Sequence, residues 1–325
     1  MATVQGFQQQ FQSYLLDNQF SKNPTGLYEP VNYIMSLGGK RLRPVLALIG
    51  NSLFSNMTAQ AMPVAYAVEI FHNFSLLHDD IMDEAPLRRG QPTVHEKYGQ
   101  NTGILSGDVM LVYAYDSLMK IENKSILPEV ITTFNQMAID VCEGQQYDMD
   151  FEVRDDVRIE EYIKMIGLKT AALIAASLKM GALVGGANKE DAEHLSAFGF
   201  NIGVAFQLQD DILDTYGDPE KFGKKVGGDI VQNKKTFLVL KTLEVADESS
   251  SQKLRQLMMT KTEDEPQKIN AVTTIFNENN IRATSEQLME EYLKKAFFHL
   301  DQVQVSEERK AILIKLSNDL MGRES

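Results

Sequence analysis

Tryptophan is absent from the 325-residue chain, and cysteine occurs once, at Cys142. A single cysteine can close no internal disulfide and build no thiolate zinc site, so nothing points to an oxidising compartment and the cytoplasm is the expected location. Within "VCEGQ" it reads as a packed helical residue rather than a nucleophile. Positive charge is scarce: 32 Lys and Arg against 45 Asp and Glu leave a formal charge of −13. A protein that follows a nucleic acid backbone needs a basic face, so no nucleic acid partner is expected, whereas cations are favoured. Long apolar runs are also lacking. The start, "MATVQGFQQQFQSYLLDNQF", has no basic segment followed by an apolar one, and "AALIAASLKMGALVGGA" is broken by Lys179, so neither a secretory nor a membrane-spanning segment is visible.

What the chain does have is helical periodicity. Hydrophobic residues make up 43% of it, enough for a sizeable core. Their spacing is that of helices almost throughout, with no convincing alternating strands, and an all-α fold follows. From Gln60 to Asp83 the apolar positions cover more than one helical face, which predicts a helix buried in the centre of its domain. "SLGGKRLRP", "EAPLRRGQPT" and "YGDPEKFGKKVGGD" read as connectors too short to be domain linkers, so residues 1–325 are taken as one domain. After Asp247 the sequence is more polar and is expected to form short helices in an outer layer.

The acidic residues "HDDIMD" and "QDDILD" carry the chemistry. Asp79 and Asp83 are four apart and share a helical face, with Asp80 offset by about 100°. A lone DxxxD is usually a solvated helix end. Here the pattern recurs at Asp210, Asp211 and Asp214, again after an apolar run and 131 residues beyond the first (210 − 79). Hard oxygen ligands without a dense cage suit Mg²⁺, which keeps waters and shares its coordination with phosphates; the EF-hand spacing is absent. Facing each other across a cavity, six such carboxylates would form a cup for several Mg²⁺ ions and a departing diphosphate.

A second anion site is suggested by basic residues. Lys40 and Arg43 fall at a helix start after two glycines, Arg88 and Arg89 follow the first acidic cluster, and His72 lies two turns before Asp79 on the same face. Taken singly, the cations are ordinary surface residues and the histidine an ordinary core residue. Together they suggest a diphosphate held by side chains.

The ordered motifs "GGKRLRP", "HNFSLLHDDIMDEAPLRRGQPT", "SGDVML", "EGQQYD", "MIGLKTAALI", "FQLQDDILDTYGD" and "FGKKVGGDIVQNKKT" resemble those of the trans-isoprenyl diphosphate synthases, over about Tyr28 to Leu243. The resemblance implies one α-helical polyprenyl synthetase domain around a deep central cavity, usually a homodimer, with three Mg²⁺ per active site when substrate is bound. It implies that Asp79, Asp83 and Asp210 ligate Mg²⁺, supported by Asp80, Asp211 and Asp214. Arg88, Lys169, Lys224 and Lys234 would hold the allylic diphosphate, with Lys225 or Lys235 as alternatives within "GKK" and "NKKT". Lys40, Arg43, His72 and Arg89 would bind isopentenyl diphosphate. Thr170 and Gln207 would face the allylic carbon.

Chain length, by the same resemblance, is set beneath the first cluster. Phe74, five before Asp79, would form the tunnel floor, with Ser75 small beside it and Phe71 a turn lower. "DDIMD" lacks a two-residue insertion. That pattern resembles geranylgeranyl diphosphate (C20) producers, with farnesyl diphosphate (C15) as the alternative. A terpene cyclase would lack the second DDxxD and "GGKRLRP", a His-Asp phosphohydrolase needs more metal-binding histidines than five can supply, and a non-catalytic subunit would have lost an aspartate motif.

Overall fold

The computed structural model describes residues 3–218, 226–260 and 264–322. Helices dominate, as the periodicity predicts: α1 (Val4–Asp17), α2 (Thr25–Ser36), α3 (Leu42–Ser52), α4 (Met62–Met82), α5 (Val94–Tyr98), α6 (Gln100–Leu118) and α7 (Leu127–Val153). There follow α8 (Ile159–Ile166), α9 (Ala172–Gly185), α10 (Lys189–Tyr216), α11 (Gly228–Val231), α12 (Phe237–Val245), α13 (Glu248–Met259), α14 (Glu265–Glu278), α15 (Ile281–Gln302) and α16 (Glu307–Met321). The chain forms two compact units, one of residues 1–138, 173–196 and 302–314, the other of 139–172, 197–301 and 315–325.

In the first unit α4 is the central helix. Pro63 starts it, where its missing N–H costs nothing. From Val64 to Phe71 every side chain is buried, against α3 on one side and α6 on another. Beyond Phe71 burial narrows to Asn73, Leu77 and Asp80, so the helix emerges from the core as it reaches its carboxylates. The sequence gives no sign of strands, yet β1 (Leu87–Arg88) and β2 (Gln91–Pro92) pair antiparallel. Their two-residue link, Arg89–Gly90, has φ of 54° and 74°, as a tight hairpin turn requires. Two-residue strands are too short to alternate visibly.

The second unit has two apolar clusters. One joins Phe151, Tyr162, Met165, Ile166, Val204, Leu208 and Phe237. In the other, Ile230, Leu238 and Val239 meet Leu254, Val272, Ile275, Phe276 and Ile281. The region after Asp247 therefore buries apolar residues of its own, and α15, at 22 residues, is not short. Between α8 and α9 the chain makes a π-helical turn, Gly167–Ala171. The stretch Ile159–Gly185 is long and apolar enough to cross a membrane, but 78% of its 18-residue apolar window is buried within the protein.

Candidate active site

Lys40, Arg43, His72, Phe74, Asp79, Asp80, Asp83, Arg88 and Arg89 all belong to the first unit. Asp79 lies in the last turn of α4 and Asp83 is its C-cap, where the backbone carbonyls already present partial negative charge. No basic residue occupies that turn. Carboxylates placed there repel the helix end unless a cation joins them. Asp80 turns inward, only 2% exposed, and both its oxygens accept from Arg88, at 2.7 Å from Nε and 2.6 Å from Nη2. This bidentate pair fixes Arg88 and occupies Asp80, which sets Asp80 apart from Asp79 and Asp83 as an anchor.

The predicted basic cluster is largely assembled. Arg43 and His72 meet at 3.2 Å through Nη1 and Nε2. The Arg89 guanidinium donates to the Gly38 carbonyl and lies flat on Gly39, where a Cβ would come within 2.9 Å of it. Any side chain at Gly39 would push the guanidinium away. Lys40 is exposed just before α3. Between them sits Arg41, which the sequence reading passed over; it is buried on Glu69 and on the Met35 carbonyl. Among the described residues Arg41 is paired by Glu69 and Arg88 by Asp80, whereas Arg43 and Arg89 form no ion pair. Burial pulls Arg43 down to about 10 against the opposing pull of the Glu69 charge, with the Arg89 charge acting in the same direction as burial. Two neighbouring guanidinium groups that form no ion pair among the described residues make a site for an anion.

His72 reports on that field. Burial, then Arg43, Arg89, Arg88 and Arg41, hold its imidazole well below the ordinary 6.5. The unfolded chain takes up this proton near pH 6.5 and the folded protein does not, so the unfolded state binds more protons below that pH. Stability should thus fall as pH drops from about 6.5. Thermal midpoints between pH 7 and pH 5 should decline more steeply for the wild type than for His72→Gln, which keeps an acceptor for Arg43; equal slopes would count against the assignment.

Asp210, Asp211, Asp214, Lys169, Thr170, Gln207 and Lys234 belong to the second unit. Asp210 and Asp214 fall in the last two turns of α10, whose last turn also lacks a basic residue. The arrangement of the first cluster is repeated: Asp211, the middle residue, is 3% exposed and turned inward. Tyr162 donates to its Oδ2, and Gln207 Nε2 to its Oδ1 at 3.2 Å. Burial pushes Asp211 up to about 8 against the opposing pull of the Tyr162 hydrogen bond. Asp214 accepts from the Asp229 amide at 3.0 Å, and burial, with the Asp229 charge next, raises it too.

Lys169 and Thr170 ride on the π-helical turn. Gly144 of α7 explains how it is accommodated: a Cβ there would stand 2.3 Å from the Lys169 nitrogen, so only glycine lets the two backbones meet. Lys169 reaches Asp148 at 2.5 Å, and Thr170 Oγ1 lies 3.3 Å from Gln207 Oε1. The two lysines of "NKKT" stand in different surroundings. Lys235 donates to the carbonyls of Phe151 and Glu152 at the end of α7, while Lys234 is 51% exposed on its side chain and stands 3.6 Å from Asp229. Lys224 and its alternative Lys225 lie outside the described residues.

Among the described residues no three metal-ligating side chains are gathered into a ready cage. An ion held by Asp79 and Asp83, or by Asp210, would complete its shell with water and substrate oxygen, which is the habit of Mg²⁺. The donor set fits: hard carboxylates at helix ends that need positive charge. His78, in "HDD", approaches the Ile104 carbonyl at 3.2 Å and joins no histidine cluster, so the phosphohydrolase reading gains nothing.

A model of the family described as polyprenyl synthetase matches residues 24–276. The chain is 44% identical over 223 residues to a geranylgeranyl diphosphate synthase of Methanosarcina mazei, covering 68% of each. It is 38% identical over 293 residues to one of Sulfolobus acidocaldarius, covering 89% of this chain and 88% of that protein. A solved geranylgeranyl pyrophosphate synthase superposes with a TM-score of 0.95 at 42% identity, over 100% of both chains.

Proposed function

Because the chain belongs to the polyprenyl synthetase family, we propose that it is a short-chain trans-prenyltransferase. It joins isopentenyl diphosphate head to tail with an allylic diphosphate, releases diphosphate, and makes geranylgeranyl diphosphate. The observation that carries this reading within the structure is the contrast between carboxylates gathered at helix C-termini and guanidinium groups that form no ion pair among the described residues. Asp79, Asp83, Asp210 and Asp214 sit at helix ends that favour positive charge, while Arg43 and Arg89 have no carboxylate partner among the described residues. The whole chain, 1–325, acts as one polyprenyl synthetase domain.

Each residue then has a task. Lys40, Arg43 and Arg89, with neutral His72 accepting from Arg43, hold isopentenyl diphosphate. Arg88, kept in place by Asp80, holds the allylic diphosphate, and Lys169, kept by Asp148, and Lys234 are assigned to that diphosphate by their motifs. Lys224 is assigned to the same group by its motif alone. Mg²⁺ bound by the aspartates supplies neutralisation of the charge that develops on the leaving diphosphate. Gln207 Oε1 and Thr170 Oγ1 offer lone pairs to the allylic cation, being too weakly nucleophilic to trap it. The double bond of isopentenyl diphosphate attacks that cation, a new carbon–carbon bond forms, and the adjacent C–H proton leaves to the released diphosphate. No protein base is required.

The test is substrate dependence of diphosphate release. With Mg²⁺ present, diphosphate should appear only when isopentenyl and allylic diphosphates are supplied together. Release from the allylic substrate alone would favour a cyclase, and free phosphate from simple phosphoesters would favour a hydrolase.

A further inference from the structure

Tyr162 was not among the residues that the sequence singled out, and the tasks above leave it unused. It is 2% exposed, its ring lies in the cluster of Phe151, Met165, Leu208 and Phe237, and its hydroxyl donates to Asp211 Oδ2. The other oxygen of Asp211 accepts from Gln207 Nε2 at 3.2 Å, and Gln207 Oε1 lies 3.3 Å from Thr170 Oγ1. Four side chains from three segments thus form one continuous hydrogen-bonded line, all within the second unit.

The direction of the line follows from what each group can do. In the structure Gln207 presents its NH₂ to Asp211 Oδ1 while Tyr162 donates to Oδ2, so Asp211 accepts at both oxygens. The Gln207 carbonyl oxygen is then left for Thr170, whose hydroxyl proton points at Gln207. In the reversed amide the hydroxyl of Thr170 could still accept from N–H, but the amide oxygen would face an Asp211 oxygen and the hydrogen bond to Asp211 would be lost. The amide orientation matters because a passing carbocation is stabilised by oxygen lone pairs and destabilised by N–H dipoles. Within the prenyltransferase reading, we infer that Tyr162 is a positioning residue of the reaction: through Asp211 it fixes the roll of the Gln207 amide, so that Gln207 and Thr170 offer lone pairs, not N–H groups, to the allylic cation. Asp211 serves this line with both oxygens, as Asp80 serves Arg88, so each cluster spends its middle aspartate on holding a substrate-side group.

The experiment is a coupled pair of substitutions with steady-state kinetics. Tyr162→Phe keeps the ring in its cluster and removes only the hydroxyl. It should lower kcat roughly 10- to 100-fold, the usual effect of removing an outer hydrogen-bond partner, with KM for both substrates little changed. Gln207→Leu should lower kcat on its own. The double variant should lose no more than Gln207→Leu alone, because the two residues act in one line. As a gentler series that deletes nothing, fluorotyrosines of graded acidity incorporated at position 162 should move kcat but not KM. Losses that multiply in the double variant, an effect confined to KM, or a flat fluorotyrosine series would overturn the inference. Wild-type protein that fails to condense the two diphosphates would instead remove the prenyltransferase reading on which it rests.

Discussion

Asp79→Ala and Asp210→Ala should each lower kcat by at least about 10²- to 10³-fold, the loss expected when one preorganised contact to developing charge is removed, and chelation of Mg²⁺ should abolish turnover altogether. The reason lies in where these carboxylates stand. Both are half-buried near the C-terminal ends of long helices, α4 and α10, with no basic residue in the final turn. A carboxylate there is held against the negative end of the helix, which costs about 0.3–1 kcal/mol when it is near the surface. Removing it should therefore leave the metal-free fold intact while stopping the chemistry. The middle aspartates should behave in the opposite way. Asp80→Ala strands Arg88 and Asp211→Ala strands Tyr162, so both should lower the thermal midpoint as well as activity. Circular dichroism melts beside single-turnover rates would separate the two classes. If Asp79→Ala or Asp210→Ala retained kcat within a few-fold of wild type, the metal roles would be wrong.

Phe74→Ala should shift the product by about one isoprene unit toward longer chains without loss of Mg²⁺ dependence. Phe74 is half-buried on α4, its ring centroid 4.8 Å from that of His78 on the Asp79 side and 5.5 Å from that of Phe71 on the other. Phe71 is only 1% exposed and locked by Phe134, which is in turn packed on Tyr115, at centroid separations of 5.5 and 5.0 Å. Phe71 and Phe134 are core and Tyr115 is half-buried against them, so beneath Phe74 a second floor stands three residues further down the helix, about 4.5 Å. The small Ser75 spends its hydroxyl on the His72 carbonyl and closes nothing. Phe71→Ala, in contrast, should cost about 3–5 kcal/mol of stability, as truncating a buried aromatic does. Chromatography of the dephosphorylated prenols would show the shift; an unchanged distribution in Phe74→Ala would remove Phe74 as the floor.

How far the sequence could be read depended on the distance over which each feature is specified. The all-α fold, the burial of α4 and the two aspartate clusters follow from periods of 3.6 and from residues four apart, so they were legible. The pairing of Arg43 with His72 needed only two helices to meet, and the seven-residue offset of His72 from Asp79 put it on the right face. What stayed hidden depends on contacts between distant segments. The π-helical turn under Lys169 is legible only beside Gly144, which lies 25 residues earlier (169 − 144). Asp148 as the partner of Lys169, Asp229 beside Lys234, and Tyr162 at Asp211 have no local signature, since each looks like an ordinary surface acid or core aromatic. The hairpin that presents Arg88 and Arg89 was missed because its strands are two residues long. Offset by about 100°, Asp80 was already expected to point away from its neighbours; that it would be wholly taken up by Arg88 was not.

The central claim, a C20-forming prenyltransferase, is tested most directly by mass spectrometry of the products formed by the purified protein with isopentenyl diphosphate, Mg²⁺ and each allylic primer in turn. The account predicts geranylgeranyl diphosphate as the dominant product from every primer shorter than C20. Products beyond C30, cyclised hydrocarbons, or no condensation product at all would contradict it.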